Sequence, residues 1–208
     1  YVTTFHGVYG FRSSLKRKYN SIMTKGDRVI TVSRFIKQHI VEHYLPDNDN
    51  LKLIHRGVDV NEFDPDKVEE RRLLEIARKI PIEHGRMVIL LPGRLTEWKG
   101  HEFLLDALAT VPKDKYICLF VGESKKCGSY TKRLQEKIEE LDLMGSIKIC
   151  GPMRDMPALY KYADVVISAS IRPEAFGRVV VEAQAMKRLV IATNHGGSSE
   201  TVIDGKTG

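Results

Sequence analysis

Short β-branched runs alternate with segments of helical period along almost the whole chain, and that alternation leaves few folds open. RVITV from Arg28, LKLI from Leu51, RMVILL from Arg86, YICLFV from Tyr116, SIKIC from Ser146, DVVISAS from Asp164 and RLVIAT from Arg188 read as strands, and the opening YVTTFHG is strand-like as well. Between them, apolar residues recur every three or four positions over roughly 11–24, 34–44, 67–79, 98–111, 129–142 and 178–187, which predicts helices. Strand and helix in turn predict an α/β fold of parallel sheets with helices on both faces. At 208 residues, 42% of them apolar, the chain can bury a full core. Its apolar runs stop well short of the ~20 residues that a membrane-spanning helix needs.

The segment Arg56–Asp66, RGVDVNEFDPD, interrupts this rhythm with Gly57, Pro65 and four acids, and a domain boundary is expected there. Upstream lie two or three strands, too few to close a sheet, and downstream five strands follow in regular units. Residues 1–58 thus read as the back half of one domain and residues 59–208 as nearly all of another, without the strand and helix that would finish it. The chain opens at Tyr1 with no initiator Met and no charged leader, which reads as a fragment rather than a signal-bearing precursor.

Two stretches carry candidate chemistry. In LLPGRLTEWKG a strand runs into Pro92-Gly93 and then a helix beginning near Glu97 or Trp98, so Arg94 and Lys99 stand at the carboxyl end of a parallel strand, where ligands of open α/β sheets bind. A guanidinium fork and an ammonium point charge can together hold a diphosphate without a metal; solvated loop cations are the alternative. In ASIRPEAFGRVVVEAQAM, Glu174 precedes a helix opening near Gly177, and Glu182 lies inside it. The free N–H groups around Phe176, Gly177 and Arg178 would sit at the positive end of the helix dipole, suited to phosphate. The plainer reading makes Glu174 a helix-start charge and Glu182 a surface residue.

GRLTEWKG together with PEAFGRVVVEAQAM, whose two glutamates are separated by seven residues, resembles the signature pair of the retaining glycosyltransferases with the GT-B fold (group 1, family 4). TTFHG, RVITVSRF, LIHRGVDVNEFDP, VGES, CGPMRDMPALYKYADVVISAS and ATNHGGSSETVIDGKTG follow in the family's order. The RGVD and HGGSSETV variants are most similar to bacterial enzymes of lipopolysaccharide core biosynthesis, whereas the wider family has Pro-Asn where this chain has His55-Arg56. The resemblance implies two Rossmann-like domains, here a partial N-terminal, acceptor-side one and a nearly complete C-terminal one that binds the nucleotide sugar.

It also implies a role for each residue. Arg94 and Lys99 would bind the donor diphosphate and stabilise the leaving group, Glu174 would touch the donor sugar, and Glu182 would accept from the ribose hydroxyls. The amides from Phe176 through Gly177 and Arg178 to Val179 would cradle phosphate, and His6 would line the cleft. The partners implied are a nucleoside-diphosphate-sugar donor, acting as substrate with no further cofactor, and a glycan or glycolipid acceptor. Other readings are a non-hydrolysing nucleotide-sugar epimerase of the same fold and a non-catalytic nucleotide-sugar-binding module.

Several patterns argue for less than they resemble. Asp47-Asn48-Asp49 and Asp64-Pro65-Asp66 match the D-x-D metal clamp of the other main glycosyltransferase fold, but neither follows an apolar strand end, so both read as turn and linker acids. DGKT at the end has Glu200 where a P-loop's first Gly belongs. The seven histidines show no zinc-like spacing, and no metal site is expected. Cys118, Cys127 and Cys150 read as reduced structural thiols of a cytoplasmic protein.

The net charge of +6 concentrates early: Arg12, Lys16, Arg17, Lys18, Lys25 and Arg28 stand against Asp27 alone. Phe11, Leu15, Tyr19, Ile22 and Met23 share a helical stripe among these cations. A core-packed helix with a wet basic face is the simple expectation. The functional alternative is attraction to anionic lipid headgroups at the inner face of the membrane, or to a phosphorylated glycolipid acceptor. Nucleic acid is not expected as a partner.

Overall fold

The computed structural model describes residues 1–44, 48–83, 85–123 and 129–208. Two parallel sheets form. The first has the order β1-β2-β3, with β1 Val2–Phe5, β2 Arg28–Thr31 and β3 Leu51–Leu53. The second has the order β6-β5-β4-β7-β8, with β4 Met87–Pro92, β5 Tyr116–Val121, β6 Ile147–Gly151, β7 Val165–Ser168 and β8 Leu189–Ala192. The helices are α1 Ser14–Ser21, α2 Arg34–Tyr44, α3 Glu70–Lys79, α4 His101–Leu108, α5 Ser129–Glu140, α6 Met156–Tyr162, α7 Arg178–Ala185 and α8 Ser198–Thr201.

In the second sheet the chain moves outward from β4 to β6, then crosses back to lay β7 on the other side of β4. The loops leaving β4 and β7 therefore diverge at the carboxyl edge, the position where such sheets bind ligands. Alternation along the strands divides the apolar residues between two layers. Val88 and Leu90 of β4 join Ile117, Leu119 and Val121 on one face, while Ile89 and Leu91 join Tyr116, Cys118 and Phe120 on the other. Burial on both faces is why β5 is buried throughout and reads as an unbroken apolar run. It also raises the thiol pKa of Cys118 far above its ordinary value and pushes that of Cys150 up to about 11. Both thiols are free, and Cys127 lies outside the described residues.

The expected strands all form, but some helices differ from expectation. The 98–111 segment is a 3₁₀ turn at Glu97–Lys99 followed by α4, with Gly100 between them at φ 71°. A Cβ on Gly100 would lie 1.9 Å from the Ala169 carbonyl oxygen, so the close approach of the β4 and β7 loops requires glycine. The 67–79 helix likewise begins as a separate 3₁₀ turn, Pro65–Lys67, before α3. α6 escaped the helical periodicity because it is only seven residues long; its start is marked instead by Asp155, which caps the Ala158 amide, and by Pro157.

The 11–24 segment departs furthest from its expected shape. Phe11 precedes α1 and stacks on His43 at 3.7 Å, Met23 falls in the 3₁₀ turn Ile22–Lys25, and both pack on the first sheet's core. Leu15 and Tyr19 in α1 proper are 79% and 75% exposed, and Ile22 is exposed as well. The stripe is core-packed only at its two ends, because its members belong to three different backbone geometries and do not share one helical face.

The two sheets are joined by side chains that the second supplies to the first. Phe176, preceding α7, is buried with Phe5, Val29, Val32, Ile36 and Leu51. Glu200 of α8 accepts from the amides of Arg34 and Phe35 at 2.8 Å each, while Ser33 Oγ accepts from Ile36 at 3.0 Å, so the start of α2 is satisfied largely from the far end of the chain. His55 Nε2 lies 3.0 Å from the same Glu200 carboxylate. Burial pushes the Glu200 pKa up, but the hydrogen bonds from His55 and the two amides outweigh it and hold the carboxyl below its usual 4.5.

Glu200→Ala is expected to cost about 0.5–2 kcal/mol in urea unfolding, the range for loss of a helix cap. Because the folded carboxyl pKa is depressed, this contribution is complete above pH 4.5 and disappears as the pH falls through the folded value. The difference between wild type and variant should close in acid.

Candidate active site

The loop after β4 is tied to the loop after β7 by two hydrogen bonds of 2.9 Å, from Trp98 Nε1 to the Arg172 carbonyl and from the Ile171 amide to the Trp98 carbonyl. This brings Lys99 to Glu174. Its Nζ lies 2.6 Å from Oε1, and the two side chains are only 18% and 16% exposed. Ser170 Oγ donates to the same oxygen at 2.7 Å. The other oxygen, Oε2, takes no hydrogen bond among the described residues and remains free to accept one. Lys99 Nζ also stands 5.7 Å from the centre of the Trp98 ring.

Beneath this pair, His101 is fully buried and edge-on to Phe120, at 4.9 Å between ring centres. Burial, reinforced by the charge of Lys99, pushes its pKa down to about 4, so the imidazole is neutral at ordinary pH and adds no charge to the site.

Past Glu174 the chain is held by the Gly197 amide, which donates to the Glu174 carbonyl at 2.7 Å. Gly177 then adopts φ 86°, where a Cβ would lie 2.8 Å from Ser198 Oγ, and α7 begins at Arg178. Arg178 and Val179 have no carbonyl one turn behind them to accept their N–H groups, so these amides are available to an anion. The ring of Phe176 points away into the first sheet's core, which leaves its backbone alone for the cradle.

One turn into α7, Glu182 is 8% exposed rather than a surface residue. Tyr160 donates to its Oε2 at 2.9 Å and Arg178 Nη2 to its Oε1 at 2.8 Å. Burial, with the adjacent Glu182 carboxylate, raises the Tyr160 pKa well above the usual phenol value and keeps it a hydrogen-bond donor.

All the residues singled out from the sequence line one of two adjoining cavities. His6, Lys99, Glu174, Phe176 and Gly177 line a small one of about 170 Å³. Arg94 and Glu182 line a larger one of about 410 Å³, with Tyr160 and Met153, and Arg178 and Val179 border both. Arg94 and Lys99 thus face different spaces, one on each side of the start of α7. A hollow of about 860 Å³ between α3 and the segment after β6 is larger still, but it contains none of the site residues singled out from the sequence and shares only Met153 and Pro152 with the second cavity.

Sequence reasoning missed Ser170, Tyr160 and Arg56 as components. Ser170 lies within the second candidate stretch and Tyr160 within the segment CGPMRDMPALYKYADVVISAS, but spacing along the chain assigns neither a role. Arg56 carried a signal, the departure from Pro-Asn at positions 55 and 56. Of the D-x-D matches, Asp47 lies outside the described residues. Asp64 accepts from the Asp66 amide at 3.0 Å in a turn, and Asp66 pairs with Lys187 at 3.1 Å.

Comparisons with known proteins bear on the family and the fold. The family model "Glycosyl transferases group 1" matches residues 74–208, and "Glycosyltransferase Family 4" matches residues 1–62. The chain is 30% identical over 189 residues to spore coat protein SA of Bacillus subtilis (strain 168), covering 87% of this chain and 50% of that protein. It spans about half the length of the curated relatives it matches. A crystal structure of a glycosyltransferase from Rickettsia africae ESF-5 superposes with a TM-score of 0.88 at 45% identity, over 98% of this chain and 54% of that one. HepE of Anabaena, solved in complex with UDP and glucose, superposes with a TM-score of 0.86 at 27% identity, over 98% of this chain and 55% of that one. With parallel sheets in the GT-B arrangement and a group 1 model matched over most of its length, the chain belongs to the group 1 glycosyl transferases.

Proposed function

We propose that the protein transfers a sugar from a nucleoside diphosphate to a hydroxyl of a glycan or glycolipid acceptor, with retention of anomeric configuration. Residues 1–58 belong to the acceptor-side domain and residues 59–208 to the donor-binding domain. The observation that carries this reading is the Lys99–Glu174 contact at the start of α7, which sets a cation, a carboxylate and free amides around one point.

In this reading the diphosphate lies over the amides of residues 177–179, between Arg94 and Lys99. As the bond from sugar to phosphate breaks, negative charge grows on the leaving oxygen, and fixed donors in a partly dry site stabilise it with little reorganisation. Lys99 is held in the ground state by Glu174, so the carboxylate orients the cation that meets the leaving group. Glu174 Oε2 accepts from a hydroxyl of the transferred sugar. Glu182, held ready by Tyr160, accepts from the ribose through its remaining lone pairs. The HepE complex with UDP and glucose makes a UDP-sugar the first donor to test.

The RGVD and HGGSSETV variants support an acceptor in lipopolysaccharide or another cell-envelope polysaccharide. A membrane-borne acceptor suits the face made by Leu15, Tyr19 and Ile22, exposed apolar side chains among Arg12, Lys16, Arg17 and Lys18. No helix among the described residues is long and apolar enough to cross a membrane. The contact proposed is peripheral, on the cytoplasmic side.

Four outcomes follow for the full-length protein. Glu182→Gln should weaken binding of the bare nucleoside diphosphate by roughly 10- to 150-fold, the equivalent of one charged hydrogen bond of about 1.5–3 kcal/mol. Glu174→Gln should leave that binding intact and lower turnover instead; calorimetry and kinetics separate the two, and equal effects on nucleotide binding would refute the assignment. Transfer should persist in excess EDTA, because Arg94 and Lys99 act where other enzymes use a divalent ion; loss of activity restored by magnesium or manganese would contradict this. Sedimentation with liposomes should rise with anionic lipid content and fall with salt, at about 1 kcal/mol per basic side chain near the surface, and insensitivity to both would exclude the membrane contact.

A further inference from the structure

The small cavity is walled from two sides. The second sheet contributes Lys99, Glu174 and the start of α7, while the first contributes two residues from the carboxyl ends of its strands, His6 directly after β1 and Arg56 shortly after β3. Of the four cations around the two cavities, two are engaged with described residues, and Arg94 of the larger cavity and Arg56 of the smaller one are not. Lys99 is paired with Glu174 at 2.6 Å, and Arg178 with Glu182 at 2.8 Å. Arg56 makes no ion pair or hydrogen bond with any described residue; Glu174, the acid lining its cavity, is paired with Lys99 through Oε1 and does not reach Arg56.

The chain immediately before Arg56 is held at two successive residues. The Ile54 amide donates to the Thr31 carbonyl at 3.0 Å, and His55 lies 3.0 Å from Glu200, which itself anchors α2 to α8. A guanidinium on such a base presents a planar set of donors to the cavity at little further ordering cost.

We propose that Arg56 is a substrate-binding residue that takes an oxyanion, a phosphate or carboxylate group brought into the cleft by the substrate. The inference rests on the glycosyl-transfer reading and adds to it a charge requirement set from the first sheet. The oxyanion has two possible sources: the donor diphosphate, reached across the cavity from the side opposite the α7 amides, or an anionic group on the acceptor beside the transferred sugar.

The test uses full-length protein and calorimetry. UDP, GDP and ADP are titrated first, and the nucleotide that binds is used to saturate the protein before titration with inorganic phosphate. Arg56→Gln is expected to weaken one of these steps by about 10-fold or more, with Arg56→Lys intermediate because it keeps the charge and loses the fork. Weakened nucleotide binding assigns the oxyanion to the donor. Unchanged nucleotide binding with weakened phosphate binding to the nucleotide complex assigns it to the acceptor. If Arg56→Gln alters neither step by more than about twofold while Lys99→Gln weakens nucleotide binding, the proposal for Arg56 falls and the glycosyl-transfer reading stands. If the wild-type protein binds none of the nucleotides, that reading fails first. Thermal unfolding of each variant identifies any loss caused by misfolding, and Arg56 is exposed enough that little is expected.

Discussion

The loops leaving β4 and β7 meet at one half-buried ion pair, and the arrangement of the site depends on that meeting. Taking Lys99 and Glu174 largely out of water costs hydration that a 2.6 Å contact roughly repays, so the pair contributes little to stability compared with an apolar substitute. Stability comes instead from the apolar layers on both faces of the five-stranded sheet. The pair determines position: a cation and a carboxylate stand together where the strand order reverses, next to the first amides of α7. Gly100 permits this, because any side chain there would collide with the β7 loop.

The two glutamates of the motif occupy unlike surroundings although they lie on one short stretch of chain. Glu174 has one oxygen saturated by Lys99 and Ser170 and the other open. Glu182 is buried, with a donor on each oxygen. A buried carboxylate with both oxygens engaged is expensive to disturb, since removing either donor leaves a desolvated acceptor unpaired. The Tyr160 hydroxyl makes α6 part of the site from the far side of α7, a dependence that links the packing of that layer to the cavity it lines.

Phe176 and Glu200 belong to the second sheet's segment of the chain but are satisfied by the first, one through apolar burial and the other through the N-terminus of α2. Both lie within a short distance along the chain from elements of the site. The small cavity, walled by residues of both sheets, therefore depends on contacts that hold them in register, and Glu200 reaches His55, the neighbour of Arg56.

Strand existence, parallel order and the two motif segments were legible in the sequence because they rest on local rules. β-branched runs with period two or continuous burial make strands, and a cation or glutamate placed next to a strand end or helix start follows the chain wherever it goes. What stayed illegible involved partners far apart in the chain or a change of backbone geometry within a few residues. Phe11, Leu15 and Met23 look like one apolar stripe until the chain enters and leaves α1, and then only Phe11 and Met23 reach the core. Glu182 reads as an exposed helix acid until Tyr160 is brought over it, and Arg56 reads as a linker cation until the carboxyl edge of the first sheet is set opposite that of the second. The sequence by itself determined which residues could carry charge to the strand ends. Tertiary structure alone decided which of those charges are neutralised and which are left open to a ligand, because pairing depends on distance across the cleft and on lost hydration, and neither is encoded in spacing along the chain.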